Sequence, residues 1–185
     1  MIVQTLDLCV GIAEYRSPYG RRSRGLCSSF LSKLKKNSKF HCKLEVGLIQ
    51  LDMTSPVMCV ATGTGISPVR SIIQHRYKND NDRAKNTLLF QGCRLPGKDD
   101  LFSSEWDQIA DSSFSHYFAY SQLGKVKTYV QHLILKNAST VQDIVKEVSI
   151  MIVIVRVIFI STYHRVVLWL FVARQKGCLT MFWMP

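Results

Sequence analysis

The stretch that most constrains the fold is Val57-Met58-Cys59-Val60-Ala61-Thr62-Gly63-Thr64-Gly65-Ile66-Ser67-Pro68-Val69-Arg70. An apolar run of strand length gives way to a glycine–threonine turn, and a helix start comes at once. Ser67 suits the N-cap of that helix and Pro68 its first position. Gly63 and Gly65 let backbone pass close to a ligand without a Cβ in the way. The helix start behind them offers unpaired N–H groups and the positive end of a dipole, a setting that suits a pyrophosphate. Many strand–turn–helix connections use glycine for geometry alone, so the turn gains its meaning from the strands downstream of it.

Two more short apolar strands lie there, and each ends in polar groups. Thr87-Leu88-Leu89-Phe90-Gln91-Gly92-Cys93-Arg94 closes on a glycine, a thiol and a guanidinium. Tyr117-Phe118-Ala119-Tyr120-Ser121-Gln122 closes on a hydroxyl and an amide, with Lys127, Tyr129 and Gln131 at alternating positions beyond it. In an open parallel sheet, ligands sit in the crevice outside the carboxyl ends of the strands. Three successive strands would therefore deliver polar groups to one edge. A hydroxyl and a lysine suit a phosphate monoester, and a tyrosine can stack on a flat base.

Around this edge the periodicity reads as strand and helix in alternation. Val69, Ile72, Ile73 and Tyr77 give a first helix its core face; Phe102, Trp106, Ile109 and Ala110 stripe a second. Val130, Leu133 and Ile134 begin a third, which Val141, Ile144 and Val145 continue after a break. Alternation from residue 57 to 147 predicts an α/β fold, a doubly wound parallel sheet with crossover helices. Upstream, Leu6-Asp7-Leu8-Cys9-Val10-Gly11-Ile12 alternates with period two and predicts a strand, and Ser17-Pro18-Tyr19-Gly20 a turn. Leu26, Phe30, Leu31 and Leu34 mark a short helix, residues 44–51 a further strand, and Asp52-Met53-Thr54-Ser55-Pro56 a linker. Residues 78–85 read as a charged loop.

Charge and cysteine usage exclude several classes. The net charge of +11 is concentrated, with nine Lys/Arg and no acidic residue between Arg16 and Lys43. No aromatic stacking motif accompanies the run, so it reads as a solvated basic face beside a phosphate site rather than a nucleic-acid surface. The six cysteines form no close pair, which argues against metal and disulfide frameworks and for reduced thiols in a cytoplasmic protein. The opening Met1-Ile2-Val3-Gln4 carries no secretory pattern. His75, His116 and His132 lack a second ligand at metal spacing, and Cys93 reads as a packing thiol rather than a nucleophile. Asp99, Asp100 and Glu105 match the dipole preference of a helix start.

Taken together, these motifs resemble the NADPH-binding domain of the diflavin reductases, cytochrome P450 reductase-like members of the ferredoxin–NADP⁺ reductase superfamily. That family carries a G-P-G-T-G-x-A-P turn, an F-F-G-C-R strand end, then A-x-S-R and, after it, K-x-Y-V-Q. This chain reads Ala61-Thr62-Gly63-Thr64-Gly65-Ile66-Ser67-Pro68, Phe90-Gln91-Gly92-Cys93-Arg94, Ala119-Tyr120-Ser121-Gln122 and Lys127-Thr128-Tyr129-Val130-Gln131, in the same order. Upstream, Arg24-Gly25-Leu26-Cys27-Ser28-Ser29-Phe30-Leu31 resembles the segment that binds the FAD pyrophosphate. Its wording, with Gln131-His132, is most similar to the branch that serves cytosolic iron–sulfur protein assembly.

The resemblance implies residues 1–55 as the end of a β-barrel FAD-binding domain and residues 56–147 as an NADPH-binding domain. It implies FAD, NADPH and, in a longer form, FMN as cofactors, and a protein electron acceptor as partner. By resemblance, Gly25, Leu26, Cys27 and Ser28 hold the FAD pyrophosphate, and NADPH lies across Thr64. Its 2′-phosphate falls near Ser121, Gln122 and Lys127 and its adenine against Tyr129, with Arg94 and Gln131 also in the site. No residue of the chain is assigned a catalytic step, since the cofactors carry the redox chemistry.

The chain departs from the family in its missing flavin-ring segment and in its final residues. Residues 148–185 read as a divergent apolar tail, with one buried strand and then poorly packed segments. In that tail Cys178 and Trp183 do not match the family's cysteine and stacking aromatic. A membrane span is disfavoured because a span reaching residue 173 takes in Arg156, His164 and Arg165, and a central arginine costs roughly 2.5–3.5 kcal/mol. A nucleotide-binding fragment without catalysis, and a membrane-attached protein, are the two other classes the sequence leaves open.

Overall fold

A computed structural model describes residues 7–41, 56–78, 87–109 and 113–147, together with strand segments between residues 150 and 181. The chain divides into two compact units, residues 1–50 with 158–167, and residues 51–157 with 168–184.

In the first unit, strands β1 (Glu14–Arg16) and β2 (Arg22–Arg24) form an antiparallel hairpin, with Tyr15 opposite Ser23. The expected turn at Ser17–Gly20 joins them: the Gly20 N–H donates to the Ser17 carbonyl at 2.9 Å, and Gly20 takes a φ of 77° that favours glycine. The strand expected at residues 6–12 is not seen over the described residues 7–12; pairing begins at Glu14, because ladder bonds to β2 decide a strand and alternation alone does not. Helix α1 (Leu26–Ser32) comes next. Its expected apolar stripe is open, with Leu26 and Phe30 both exposed. No barrel is seen among the described residues of this unit, and the strand expected at 44–51, with the linker residues 52–55, lies outside them.

The second unit is an α/β layer structure. Strands β3 (Val57–Thr62), β4 (Thr87–Cys93) and β5 (Phe114–Tyr120) run parallel, joined by helices α2 (Ile66–Lys78) and α3 (Ser103–Ile109). Helices α4 (Val130–Lys136) and α5 (Ala138–Glu147) carry the chain across to β6 (Ile150–Ile154), which pairs parallel with β3 on its other side. Short strands β7 (Val157–Ile158) and β8 (Val167–Leu168) form a separate two-stranded sheet. Strands β9 (Phe171–Arg174) and β10 (Cys178–Met181) extend the main sheet antiparallel, in the order β10-β9-β6-β3-β4-β5.

Strand parity divides the core into two faces. Val57, Cys59, Ala61 and Leu89 pack with Ile66, Val69 and Ile73 of α2 and Trp106 of α3. Met58, Val60, Leu88 and Phe90 point the other way, against Ile144 of α5 and Val130, Leu133 and Ile134 of α4. All five residues from Val57 to Ala61 are buried, as expected for a strand covered on both faces.

Polar ties lock the helices to this sheet. Gln91 is buried in β4, where its carbonyl oxygen accepts from the Trp106 indole N–H at 3.0 Å and its amide donates to the Leu101 carbonyl at 3.1 Å. Arg70 of α2 grips Glu105 of α3 through two bonds at 2.8 and 2.9 Å, and its guanidinium lies 4.5 Å over the Phe102 ring. These bonds from Arg70 hold the Glu105 carboxyl below the usual range. Phe102 precedes α3 with a φ of 65°, so the expected stripe of that helix begins one residue late.

The start of α2 also differs from expectation. A 3-10 turn at Gly63–Gly65 precedes it, and the helix begins at Ile66, which places Ser67 and Pro68 inside the first turn. Proline fits there because first-turn N–H groups have no intrahelical partner. The break between α4 and α5 falls at Asn137, whose amide donates to the Leu133 carbonyl at 2.8 Å.

Strand β6 lies past residue 147, the end expected for the nucleotide domain, and covers the main-chain edge of β3. A chain ending at Val155 is expected to unfold cooperatively in urea, whereas one ending at Glu147 should lose that transition. Equal midpoints for the two would show that β6 contributes nothing. Within the core, Gln91→Leu leaves the indole N–H of Trp106 buried and unpaired. It should lower stability by about 1–3 kcal/mol in the same assay, since an unsatisfied buried donor costs that much.

Candidate functional site

The parallel register brings the three strand ends level. Thr62 stands opposite Gly92, Gly92 opposite Ala119, and Cys93 opposite Tyr120. Neighbouring strands lie about 4.8 Å apart. The next residues along each strand therefore share one edge: the Gly63–Gly65 turn from β3, Arg94 from β4, and Ser121 with Gln122 from β5.

Local chemistry fixes each piece. Gly63 takes a φ of 54° in open space, and Gly65 is buried under the start of α2. Gly92 makes room: a Cβ there would come within 2.8 Å of the Thr62 methyl and 3.2 Å of Val130. The absence of a side chain lets α4 begin directly over the strand ends. Ser121 and Gln122 continue the β4–β5 pairing past its last ladder residue, with the Ser121 N–H on the Cys93 carbonyl and the Gln122 N–H on the Arg94 carbonyl, both at 2.9 Å. The Ser121 hydroxyl donates to the same Cys93 carbonyl at 3.3 Å.

Arg94 is exposed but held on one side. Its Nε donates to Asp99 at 3.0 Å, while its own backbone N–H and that of Leu95 donate to the same carboxylate at 2.9–3.0 Å. Burial pushes the Asp99 carboxyl up, but these donors outweigh it and hold the group below the usual carboxylate range. Asp100 accepts from the Tyr120 hydroxyl at 3.2 Å. Burial, with the nearby Asp100 charge, pushes that phenol up to about 12. Burial also pushes the Cys93 thiol up to about 12, helped by Asp99 and Asp100.

The acidic residues expected to serve the α3 dipole therefore do other work. Only Glu105 lies in the first turn of α3, and it is occupied by Arg70 and by Gln74 at 3.0 Å. Asp99 and Asp100 tie the strand ends instead. A carboxylate five residues after an arginine was the signal, and only the loop closure gives it meaning.

Of the residues singled out in the sequence, the structure brings Thr64, Arg94, Ser121 and Gln122 to one edge. Lys127 and Tyr129 are exposed in the extended segment leading into α4. Gln131 is exposed inside α4, so the alternation expected from Lys127 through Gln131 gives way to helical spacing. The Tyr129 N–H donates to His132 Nδ1 at 3.2 Å, which places that histidine at the helix start.

Gly25, Leu26, Cys27 and Ser28 lie in the first unit, at the start of α1 with Gly25 as the cap. A Cβ on Gly25 would meet the Ala13 side chain at 2.9 Å, so the turn tolerates only glycine without a shift. Ser28 is buried and accepts the Ala13 N–H at 3.2 Å, whereas Cys27 is exposed. In the same unit Tyr15, Arg16, Arg22, Ser23 and Arg24 line a surface groove along the hairpin with Glu14, which gathers part of the basic run into one place. Among the described residues no group of three or more His, Cys, Asp or Glu could hold a metal, and no helix is long and apolar enough to cross a membrane.

Residues 59–155 match the family described as the oxidoreductase NAD-binding domain. The chain is 32% identical over 145 residues to NADPH-dependent diflavin oxidoreductase 1 of Schizosaccharomyces pombe, covering 77% of this chain and 24% of that protein. To the protein of the same name from Xenopus laevis it is 33% identical over 155 residues, covering 76% and 24% respectively. The Mycosarcoma maydis protein gives 31% over 155 residues, covering 80% and 24%. The chain thus spans about a quarter of the length of the relatives it matches. The matched segment runs from β3 past the end of β6, taking in the glycine turn and all three polar strand ends, and the chain belongs to the oxidoreductase NAD-binding domain family.

Proposed function

We propose that the β3–β4–β5 edge binds NADPH as the nucleotide-holding part of a flavin-dependent reductase. The observation that carries this reading is the single edge shared by the Gly63–Gly65 turn, Arg94 and Ser121–Gln122. A glycine turn leading straight into a helix start suits a diphosphate, and the guanidinium, hydroxyl and amide suit the further phosphate that distinguishes NADPH. Lys127 adds a point charge beyond β5, Tyr129 offers its exposed ring to the adenine, and Gln131 is the second residue of α4. The family match supports the nucleotide, and the similarity to NADPH-dependent diflavin oxidoreductases supports its reduced phosphorylated form.

Residues 1–55 fit the end of an FAD-binding domain. Leu26 and Cys27 open the first turn of α1, while the Gly25 N–H is taken by the Ala13 carbonyl at 2.8 Å and Ser28 braces the same turn against Ala13. When bound, NADPH supplies a hydride and FAD accepts it, with FMN and a protein acceptor of the iron–sulfur assembly machinery beyond them in a longer form. The setting we propose is cytoplasmic. The chain's own residues bind and orient. Cys93 takes no covalent part, because a thiol held near 12 stays protonated and a thiol is a weak nucleophile.

That assignment predicts slow alkylation. Cys93 is buried and its thiol stays protonated at pH 8, which leaves little of the reactive thiolate. Exposed Cys27 should therefore react with iodoacetamide well before Cys93, as peptide mass spectrometry would show; equal rates would return Cys93 to the list of nucleophiles.

Nucleotide preference gives the sharper test. The family's arginine after the serine is replaced here by Gln122, which donates hydrogen bonds without charge. Hydrogen bonds to charged groups contribute roughly 1.5–3 kcal/mol and neutral ones nearer 1. Gln122→Arg should therefore tighten 2′,5′-ADP binding about five- to thirtyfold at 1.4 kcal/mol per decade. Binding of 5′-AMP should not change. Calorimetric titration showing no gain for 2′,5′-ADP would place the phosphate elsewhere.

A further inference from the structure

The loop between β4 and α3 carries a device that the nucleotide reading does not use. We propose that Asp99 is the positioning residue for Arg94, holding its guanidinium at the phosphate edge in a ready conformation. The inference rests on Arg94 lying in the nucleotide site.

Arg94 comes directly after the last residue of β4, and its side chain is 71% exposed. An exposed arginine samples many rotamers, and fixing it on a ligand costs conformational entropy. Here that freedom is already spent. One carboxylate takes the Arg94 backbone N–H, the Leu95 backbone N–H and the Arg94 Nε, all between 2.9 and 3.0 Å. Main chain and side chain of the same arginine are thus tied to one anchor. The bond engages Nε, and among the described residues nothing engages the two terminal nitrogens, which are the pair suited to a phosphate.

The neighbouring residue steadies the other side. Asp100 accepts from Tyr120, the last residue of β5, and the Ser121 and Gln122 N–H groups bond the Cys93 and Arg94 carbonyls. Two consecutive carboxylates therefore fix the two strand ends that bear Arg94 and Ser121–Gln122.

Charge alone predicts the opposite effect of Asp99. A carboxylate beside an anion site repels a phosphate, so removing it should tighten binding. Positioning predicts that removing it weakens binding, because the guanidinium must then be ordered by the ligand itself. The sign of one measurement separates the two.

The test is calorimetric titration of the 185-residue chain with NADP⁺ and with 2′,5′-ADP, alongside thermal unfolding. Asp99→Asn keeps an acceptor oxygen for the backbone N–H groups but loses the charge that grips Arg94. It should weaken both ligands about three- to tenfold, the range expected for one freed side chain, while Tm stays near that of the unaltered chain. In an Arg94→Ala background the same change should give no weakening. Tighter binding by Asp99→Asn would overturn the proposal in favour of simple repulsion. Unchanged affinity with a lowered Tm would reduce Asp99 to a turn brace, and an equal loss in both backgrounds would show that it does not act through Arg94. If the unaltered chain binds neither ligand, the nucleotide reading fails and the proposal with it.

Discussion

The parallel register of β3, β4 and β5 is the constraint on which the rest of the second unit depends. Side chains alternate along a strand, so slipping β4 by one residue would turn Leu89 and Gln91 to the face now held by Leu88 and Phe90. Trp106 would lose its buried partner, and Arg94 would no longer stand between the Gly63–Gly65 turn and Ser121. Burial on both faces specifies the register strongly. Gly92 is its tightest point, where Thr62, the strand end and the first residue of α4 meet.

The polar ties that hold α3 to the sheet also order the strand ends at this edge. Gln91 and the Arg70–Glu105 pair bind α3 to the sheet and to α2, and the loop from Leu95 to Phe102 is thereby closed at its far end. Its near end is closed by Asp99 and Asp100. A loop fastened at both ends can present a charged side chain in a narrow range of positions. Gly92 does the converse, keeping a side chain out of the space that Thr62 and the first residue of α4 require.

Much of this was legible in the sequence. The order of strand, glycine turn and helix at 57–70, the polar strand ends at Arg94 and Ser121, and the break between α4 and α5 all derive from local periodicity and residue chemistry. The misreadings have local causes. The strand expected at 6–12 had alternation but no ladder partner there; β1 forms at Glu14 because β2 lies opposite it. Helix α2 starts ahead of its expected cap because a 3-10 turn already satisfies the geometry that Ser67 was expected to supply. Asp99 and Asp100 looked like helix-start residues because sequence distance to α3 is short, while their real partners are strand ends.

By itself the sequence determined which residues could be buried, where the chain must turn, and which chemistry each strand delivers at its end, since these depend on side-chain type and near-neighbour spacing. Only the tertiary structure decided that β6 returns beside β3, that Gln91 is buried against Trp106, and that Asp99 faces Arg94. Those pairings depend on which strands become neighbours and in what register. That is a property of the packed core, and no window of consecutive residues contains it.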